Sequence, residues 1–494
     1  MNYILINPDE MRHNVLGCYG NEAAVTPHID QLAHEGTLFE NCFVQNSVCT
    51  PSRISFLTGL YPHNRGHRTL WHTLGPDEPN LFRTLKENGY AIHIWGKNDA
   101  FSPEALALCA TTINKHHDMS NYSYHSKRRN PLGELGDNSF LYENEPTTIK
   151  ENKDYGFIKE AINFLKSKPE NPFCVYLALD NPHPPYKVND DFIDTIDMDK
   201  IPELIPYMKD GTPDFHGLIR DYRGLDQLDN AYLKEIMKVY LGMTTMVDWM
   251  VGQLLHAVEA YGYDQNTTII FFSDHGDYAG DYGLVEKWPS GFEDALLHIP
   301  FIVKAPGYKK GNVMKAPIET FDMVATILEL SNIDPHYSHF SKSLVPQLEG
   351  VEGDLDRTVF AEGGYDESEP HCFEGYGVGQ DIRLDEDMDN IYYPKVLQQQ
   401  EVRESVCRSV MARNLNYKLV RRSSGKHAFY DLHNDPQELH NVYGVEAYWQ
   451  QQYALENKLM DWYLTTSDTV PYERQIRHFD PAVSMALNKA DNSF

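Results

Sequence analysis

Short apolar runs that stop abruptly at charged or histidine residues recur along the chain. Tyr3-Ile4-Leu5-Ile6 leads into Pro8-Asp9-Glu10, Ala91 to Trp95 into Gly96-Lys97, Phe173 to Leu179 into Asp180, and Thr268 to Phe272 into Ser273-Asp274-His275. Uninterrupted runs of this length predict strands buried on both faces. Between them, 79–89, 155–167 and 229–261 carry apolar residues at helical spacing, the last at Leu241, Met243, Met246, Val247, Met250, Val251, Leu254 and Leu255. Strand and helix in alternation predict an α/β class, with a mostly parallel central sheet flanked by helices. Ligands of such sheets bind beyond the carboxyl ends of the strands, so the four polar clusters are expected to meet at one site.

The texture changes after about residue 340. Residues 351–400 are acidic and irregular, Tyr417 to Arg421 and Ala428 to Leu432 read as paired strands, and Asp435-Pro436 gives a turn before a helix around 445–463. The expected organisation is a catalytic domain over 1–340 and a smaller α+β domain over 341–494, with a short antiparallel sheet and a terminal helix.

Composition narrows the chemistry. The chain has 494 residues, 41% of them hydrophobic, enough to bury a large core, and a formal net charge of -29. That charge excludes nucleic acid as an expected partner, because a polyanion needs a basic face. It also opposes any anionic substrate, so a sulfate or phosphate site must supply local positive potential from lysine, arginine and metal. The start, Met1-Asn2-Tyr3-Ile4-Leu5-Ile6-Asn7-Pro8-Asp9, carries neither a basic n-region nor a long apolar stretch, and no run approaches a membrane span. The expectation is a cytoplasmic protein with no membrane partner. Seven scattered cysteines without CxxC spacing fit reduced thiols.

One of these cysteines opens the most specific segment of the chain, Cys49-Thr50-Pro51-Ser52-Arg53-Ile54-Ser55-Phe56-Leu57-Thr58-Gly59. This segment resembles the signature of the sulfatase family, formylglycine-dependent enzymes of the alkaline phosphatase superfamily, in which the cysteine is oxidised after translation. The resemblance implies that Cys49 becomes formylglycine, hydrates to a geminal diol and attacks sulfur once a metal has lowered the pKa of one hydroxyl. Arg53, one helical turn on, is then expected to hold the nucleophile and balance acidic charge.

The resemblance runs over nearly the whole chain. Asp9-Glu10 and Asp274-His275 fall where sulfatases carry two pairs of metal ligands, implying Ca²⁺, with Mg²⁺ or Mn²⁺ as alternatives of similar oxygen preference. Glu10 stands where aspartate is commoner, so its longer arm either ligates the metal or stays beside it. Asn181-Pro182-His183-Pro184-Pro185-Tyr186 resembles the segment that presents a histidine to the leaving group, which makes His183 the general acid. Lys97 and Lys287 match the two active-site lysines. One departure stands out: many sulfatases place a histidine two residues after the first lysine to deprotonate the diol, whereas this chain reads Lys97-Asn98-Asp99. Asp99 is a candidate for that role or for a contact to substrate, and His67 and His72 are further candidates for the base. Gly66 to His72, with His67, Arg68 and His72, and Lys127-Arg128-Arg129 are candidates for reading the rest of an anionic sugar. Ile318 to Asp322 and Tyr430 to Pro436 also look like late sulfatase segments.

The implied function is hydrolysis of a sulfate ester, with a small sulfated saccharide as substrate and a formylglycine-generating or radical maturase enzyme as a partner. Two alternatives stay open: a phosphonate monoester or phosphodiester hydrolase of the same superfamily, and a catalytically silent sulfoglycan-binding protein. The sequence leaves the oligomeric state open.

Overall fold

The computed structural model describes residues 1–114, 127–144, 148–375 and 387–472. The apolar runs form strands with nearly the expected limits. In chain order the strands are β1 (Asn2–Pro8), β2 (Thr37–Phe39), β3 (Cys42–Phe43), β4 (Ala91–Gly96), β5 (Thr112–Ile113), β6 (Phe173–Leu179), β7 (Thr267–Phe272), β8 (His298–Ile299), β9 (Phe301–Lys304), β10 (Asn312–Met314), β11 (Ile318–Glu319), β12 (Val359–Gly363), β13 (Ser409–Arg413), β14 (Tyr417–Arg422) and β15 (Ala428–Asp431). Eight of them build one sheet in the order β10-β2-β9-β7-β1-β6-β4-β5. The core of this sheet, β7-β1-β6-β4-β5, is parallel throughout, and β9 runs antiparallel to β7 and β2.

Both faces are covered, as the unbroken apolar runs require. Tyr3 and Leu5 of β1 point into one hydrophobic cluster and Ile4 and Ile6 into the other, the period of two expected for a strand. Helix Asn230–Ala260 fills the second cluster with Met243, Met246, Val247, Met250, Val251 and Leu254. A small sheet, β11-β3-β8, lies alongside, and β12-β13-β14-β15 form an antiparallel sheet in the C-terminal part, followed by helix Trp449–Thr466. Among the described residues no helix is long and apolar enough to cross a membrane.

Because β4, β6, β1 and β7 are adjacent and parallel, their carboxyl ends share one edge. Gly96 shows how tightly that edge is built. Its φ is 117°, and a Cβ there would sit 1.9 Å from the Ala178 carbonyl oxygen, so glycine alone lets β4 turn out against β6 and deliver Lys97.

Candidate active site

Cys49 occupies the first turn of helix Cys49–Thr58, which is buried over its whole length and ends at Gly59 in the left-handed region. The Asn46 side chain accepts from the Val48 backbone N–H (2.8 Å), fixing the approach to this helix. The Cys49 Sγ lies 3.2 Å from His275 Nε2, 3.5 Å from Asp9 Oδ1 and 4.0 Å from Lys97 Nζ. Burial and the Asp9 carboxylate push the thiol well above its usual range. As cysteine, residue 49 is thus held toward the protonated thiol, the less nucleophilic form.

One helical turn on, Arg53 is fully buried and reaches both acid pairs. Its Nε donates to Asp274 Oδ2 (2.9 Å), its Nη2 lies 3.3 Å from Asp9 Oδ2, and its Nη1 donates to the Tyr176 hydroxyl (3.2 Å). Lys97 meets Asp9 (2.6 Å) and Asp99 (2.9 Å). Burial works against the Asp9 charge, but Lys97 and Arg53 prevail and hold its carboxyl well below the ordinary value. Asp274 moves the other way: burial outweighs Arg53, and the neighbouring Asp9 adds to the upward push.

Glu10 sits in the left-handed region (φ 63°) and is fully buried. Its backbone N–H donates to Asp274 Oδ1 (3.1 Å), and its Oε1 meets the Lys287 ammonium and lies 3.3 Å from His183 Nε2. His183 Nδ1 lies 2.6 Å from the Pro184 carbonyl and Lys287 Nζ 3.1 Å from His183 Nε2. Burial and the Lys395 ammonium lower the Lys287 pKa to about 7, against the pull of Asp9 and Glu374.

The donor set fits a divalent cation. One donor atom from each of Asp9, Glu10, Cys49 and His183 lies within 4.8 Å of the others, and the same holds for Asp9, Cys49, Asp274 and His275. Glu10 Oε2 is buried without a hydrogen-bond partner, and a cation held beside it would satisfy that oxygen. His275 Nδ1 lies 2.9 Å from the Gly276 carbonyl, which can only accept, so Nδ1 carries the proton and the Nε2 lone pair faces the carboxylates.

Ten residues singled out in the sequence therefore meet here: Asp9, Glu10, Cys49, Arg53, Lys97, Asp99, His183, Asp274, His275 and Lys287. The other three have partners elsewhere, and none hydrogen-bonds to a member of this cluster. His67 is held between Glu78 Oε1 and the His72 carbonyl (2.9 Å each), Arg68 pairs with Glu369, and His72 Nδ1 meets Thr69 Oγ1 (2.9 Å). In the basic stretch, Arg128 donates to the Asp389 carbonyl and Arg129 pairs with Glu235 (3.1 Å). Two supporting acids escaped the sequence reading. Asp154 accepts from the Asp180 and Asn181 backbone N–H groups and the Asn181 amide (2.7–2.9 Å), tying down the loop that carries His183. Glu286 bridges Lys287 and Lys395. Neither sits in a pattern that distinguishes it from a surface acid.

Comparison with known proteins supplies the family. A multifunctional alkaline phosphatase superfamily protein, PehA of Trinickia caryophylli, is 25% identical over 94% of this chain and 96% of its own length. The phosphonate monoester hydrolase of Agrobacterium radiobacter superposes with a TM-score of 0.75 at 21% identity, covering 94% of this chain and 96% of that one. A structure solved in complex with its substrate D-glucosamine-2-N,6-O-disulfate gives 0.72 at 20% identity, covering 96% and 99%. The sulfatase family model matches residues 1–333, which hold every member of the cluster around Cys49, and the chain belongs to that family of sulfate ester hydrolases.

Proposed function

We propose that the protein releases inorganic sulfate from a small sulfated saccharide, using Cys49 in its formylglycine form and a divalent cation. The observation that carries this reading is the position of the Cys49 Sγ, buried between His275, Asp9 and Lys97 where two acid pairs and two lysines converge. Asp9, Glu10, Asp274 and His275 would hold the cation. Their carboxylates suit Ca²⁺, the ion the family resemblance implies, and Mg²⁺ or Mn²⁺ as well. Formylglycine would supply an oxygen nucleophile whose acidity the bound cation raises.

The remaining work falls to the chain itself. Arg53 fixes Asp274 and Asp9 relative to residue 49, Lys97 offers an ammonium group to the sulfate oxygens, and Lys287, 3.1 Å from His183 Nε2, offers one to the sulfate and to the leaving oxygen. His183 keeps its Nδ1 proton on the Pro184 carbonyl, so it acts as the acid only as imidazolium, passing the second proton from Nε2 to the leaving oxygen and remaining as the neutral Nδ1–H ring. Of the three candidates for the base, Asp99 is the one that reaches the cluster, through Lys97. Maturation of Cys49 requires a formylglycine-generating or radical maturase. We assign catalysis to residues 1–340, with 341–494 bordering the pocket.

The glucosamine disulfate complex among the structural relatives supports a sulfated sugar as substrate. The phosphonate monoester hydrolase fold, matched over nearly the same length, supports a second reading, hydrolysis of phosphonate monoesters or phosphodiesters. The two are separated by kcat/KM for sulfate, phosphonate and phosphodiester forms of one alcohol, alongside mass spectrometry of the Cys49 peptide. A tenfold or larger preference for sulfate is expected. A preference of that size for phosphonate overturns the sulfate reading, and full activity with an intact Cys49 thiol overturns the nucleophile.

A further inference from the structure

The family match ends at residue 333, yet a buried charge from well beyond it reaches the site. Lys395, on helix Tyr393–Glu401, is 3% exposed. Its ammonium meets both oxygens of Glu286, at 2.9 and 3.0 Å, and lies 3.5 Å from Glu374 Oε1. Glu286 is itself buried, and its Oε1 is 3.4 Å from Lys287 Nζ. One carboxylate is thus shared by two lysines.

The backbone of Glu286 is pinned. It adopts φ 62°, with its N–H on the Tyr186 hydroxyl (3.0 Å) and its carbonyl accepting from the Tyr278 N–H (3.2 Å). Arg223 Nη1 donates to the carbonyls of Asn138 and Ile391, and the guanidinium acts on Glu286 only from beyond ion-pair distance, with its Nη2 buried and unpartnered. With Lys395 in place, Glu286 is satisfied on both oxygens and Lys287 is left to Glu10 and His183. Without it, Glu286 becomes a buried anion whose one other cation within 4 Å, among the described residues, is Lys287. A buried carboxylate that loses its partner is either protonated or paired anew, and because Lys287 already lies 3.4 Å away the second course is favoured, with the Lys287 ammonium drawn off toward Glu286.

We propose that Lys395 is a positioning residue for the reaction: by satisfying Glu286 it keeps the Lys287 ammonium aimed at His183, Glu10 and the leaving oxygen of the ester. The inference rests on the role given above to Lys287. The test uses full-length, matured protein and aryl esters whose phenols range from acidic to weakly acidic, sulfates or phosphonates according to which the wild type hydrolyses. Lys287→Met is expected to lose most kcat with the poorest leaving groups. Lys395→Met should show the same graded loss, on the order of tenfold with the poorest leaving group and about twofold with the best. The pair Glu286→Gln/Lys395→Met should return to the wild-type dependence, because nothing then competes for Lys287.

A general packing defect lowers kcat equally for every ester, so an even loss in Lys395→Met overturns the proposal. If that variant does not fold, the neutral pair decides alone: a wild-type leaving-group dependence supports the proposal and a steep one overturns it. An even loss in Lys287→Met overturns the role of Lys287 and this proposal with it. A graded loss there, with none in a folded Lys395→Met, overturns the positioning role alone.

Discussion

Asp274 and Asp294 lie in the same half of the chain and each pairs with an arginine, but their surroundings drive their carboxyl groups in opposite directions. Asp274, fully buried beside Asp9 and Arg53, is pushed up. Asp294 begins the short helix Asp294–Leu297 and meets Arg413 of β13 (2.9 Å) and Lys418 of β14 (2.6 Å), which overcome burial and hold it far below its ordinary value. Lys418 also carries Glu438 (2.7 Å), and the Arg413 guanidinium lies 4.1 Å over the Phe43 ring. The junction cluster is held by the chain's own cations and ties the C-terminal sheet down. The cluster around Cys49 leaves the buried Glu10 Oε2 without a partner, as expected of the cation site proposed there. Counting buried ion pairs would score the two alike, and so would the carboxyl shifts, since Asp9 is held down at the site and burial pushes Glu438 up at the junction; the unpartnered Glu10 oxygen tells them apart.

The sharpest test of the contrast is at the nucleophile. Cys49→Ala should abolish ester hydrolysis, a loss of at least about a thousandfold, with little change in melting temperature because the helix keeps its packing. Substituting the two aspartates should then split the effects. Asp274→Asn is expected to remove activity while lowering the melting temperature of metal-free protein by less than Asp294→Asn does. If Asp274→Asn proves the more destabilising in the absence of metal, the contrast is wrong. Lys418→Met, which strands Asp294 and Glu438, should cost about 3–5 kcal/mol in denaturant unfolding and leave kcat per folded molecule unchanged.

Removing divalent ions with a chelator should inactivate the enzyme. Restoring the right ion at a hundredfold excess over its Kd should add about 2.7 kcal/mol of stability, and parallel melts with Ca²⁺ and Mn²⁺ identify that ion. The smallest effect belongs to Glu293, next to the junction. Despite burial, His216 and Tyr278 hold its carboxyl at about 2, below its ordinary 4.5. A depressed carboxyl contributes stability that is complete above pH 4.5 and is withdrawn as the pH falls toward 2, here on the order of 2–3 kcal/mol. Glu293→Gln should flatten the melting temperature between pH 5 and pH 3, and an unchanged slope would rule this contribution out.

The catalytic cluster was far easier to read from sequence than the junction. Four apolar runs ending in polar residues told where β1, β4, β6 and β7 would deliver Asp9, Lys97, His183 and Asp274, because parallel strands carry their carboxyl ends to one edge. The pairing of Tyr417 to Arg421 with Ala428 to Leu432 was legible for the same local reason, alternation and a turn. Short strands such as β3, β8 and β11 were not, since two or three residues carry no period. Nor could sequence tell that Arg68 would be spent on Glu369, or that Lys395, in an acidic irregular stretch, would be buried against Glu286. Those outcomes depend on partners 109 to 301 positions away, and the local pattern around an ion-paired lysine is that of a solvated one.

The burial of helix Cys49–Thr58 sets an order of events. Cys49 is 2% exposed, every residue of its helix is buried, and the approach to it is tied by Asn46 and Ser47 to the carbonyls of Glu362 and Trp288, far along the chain. For the proposed formylglycine route, an enzyme that modifies Cys49 would have to reach it before those later segments close over it, so modification and folding would compete for the same chain.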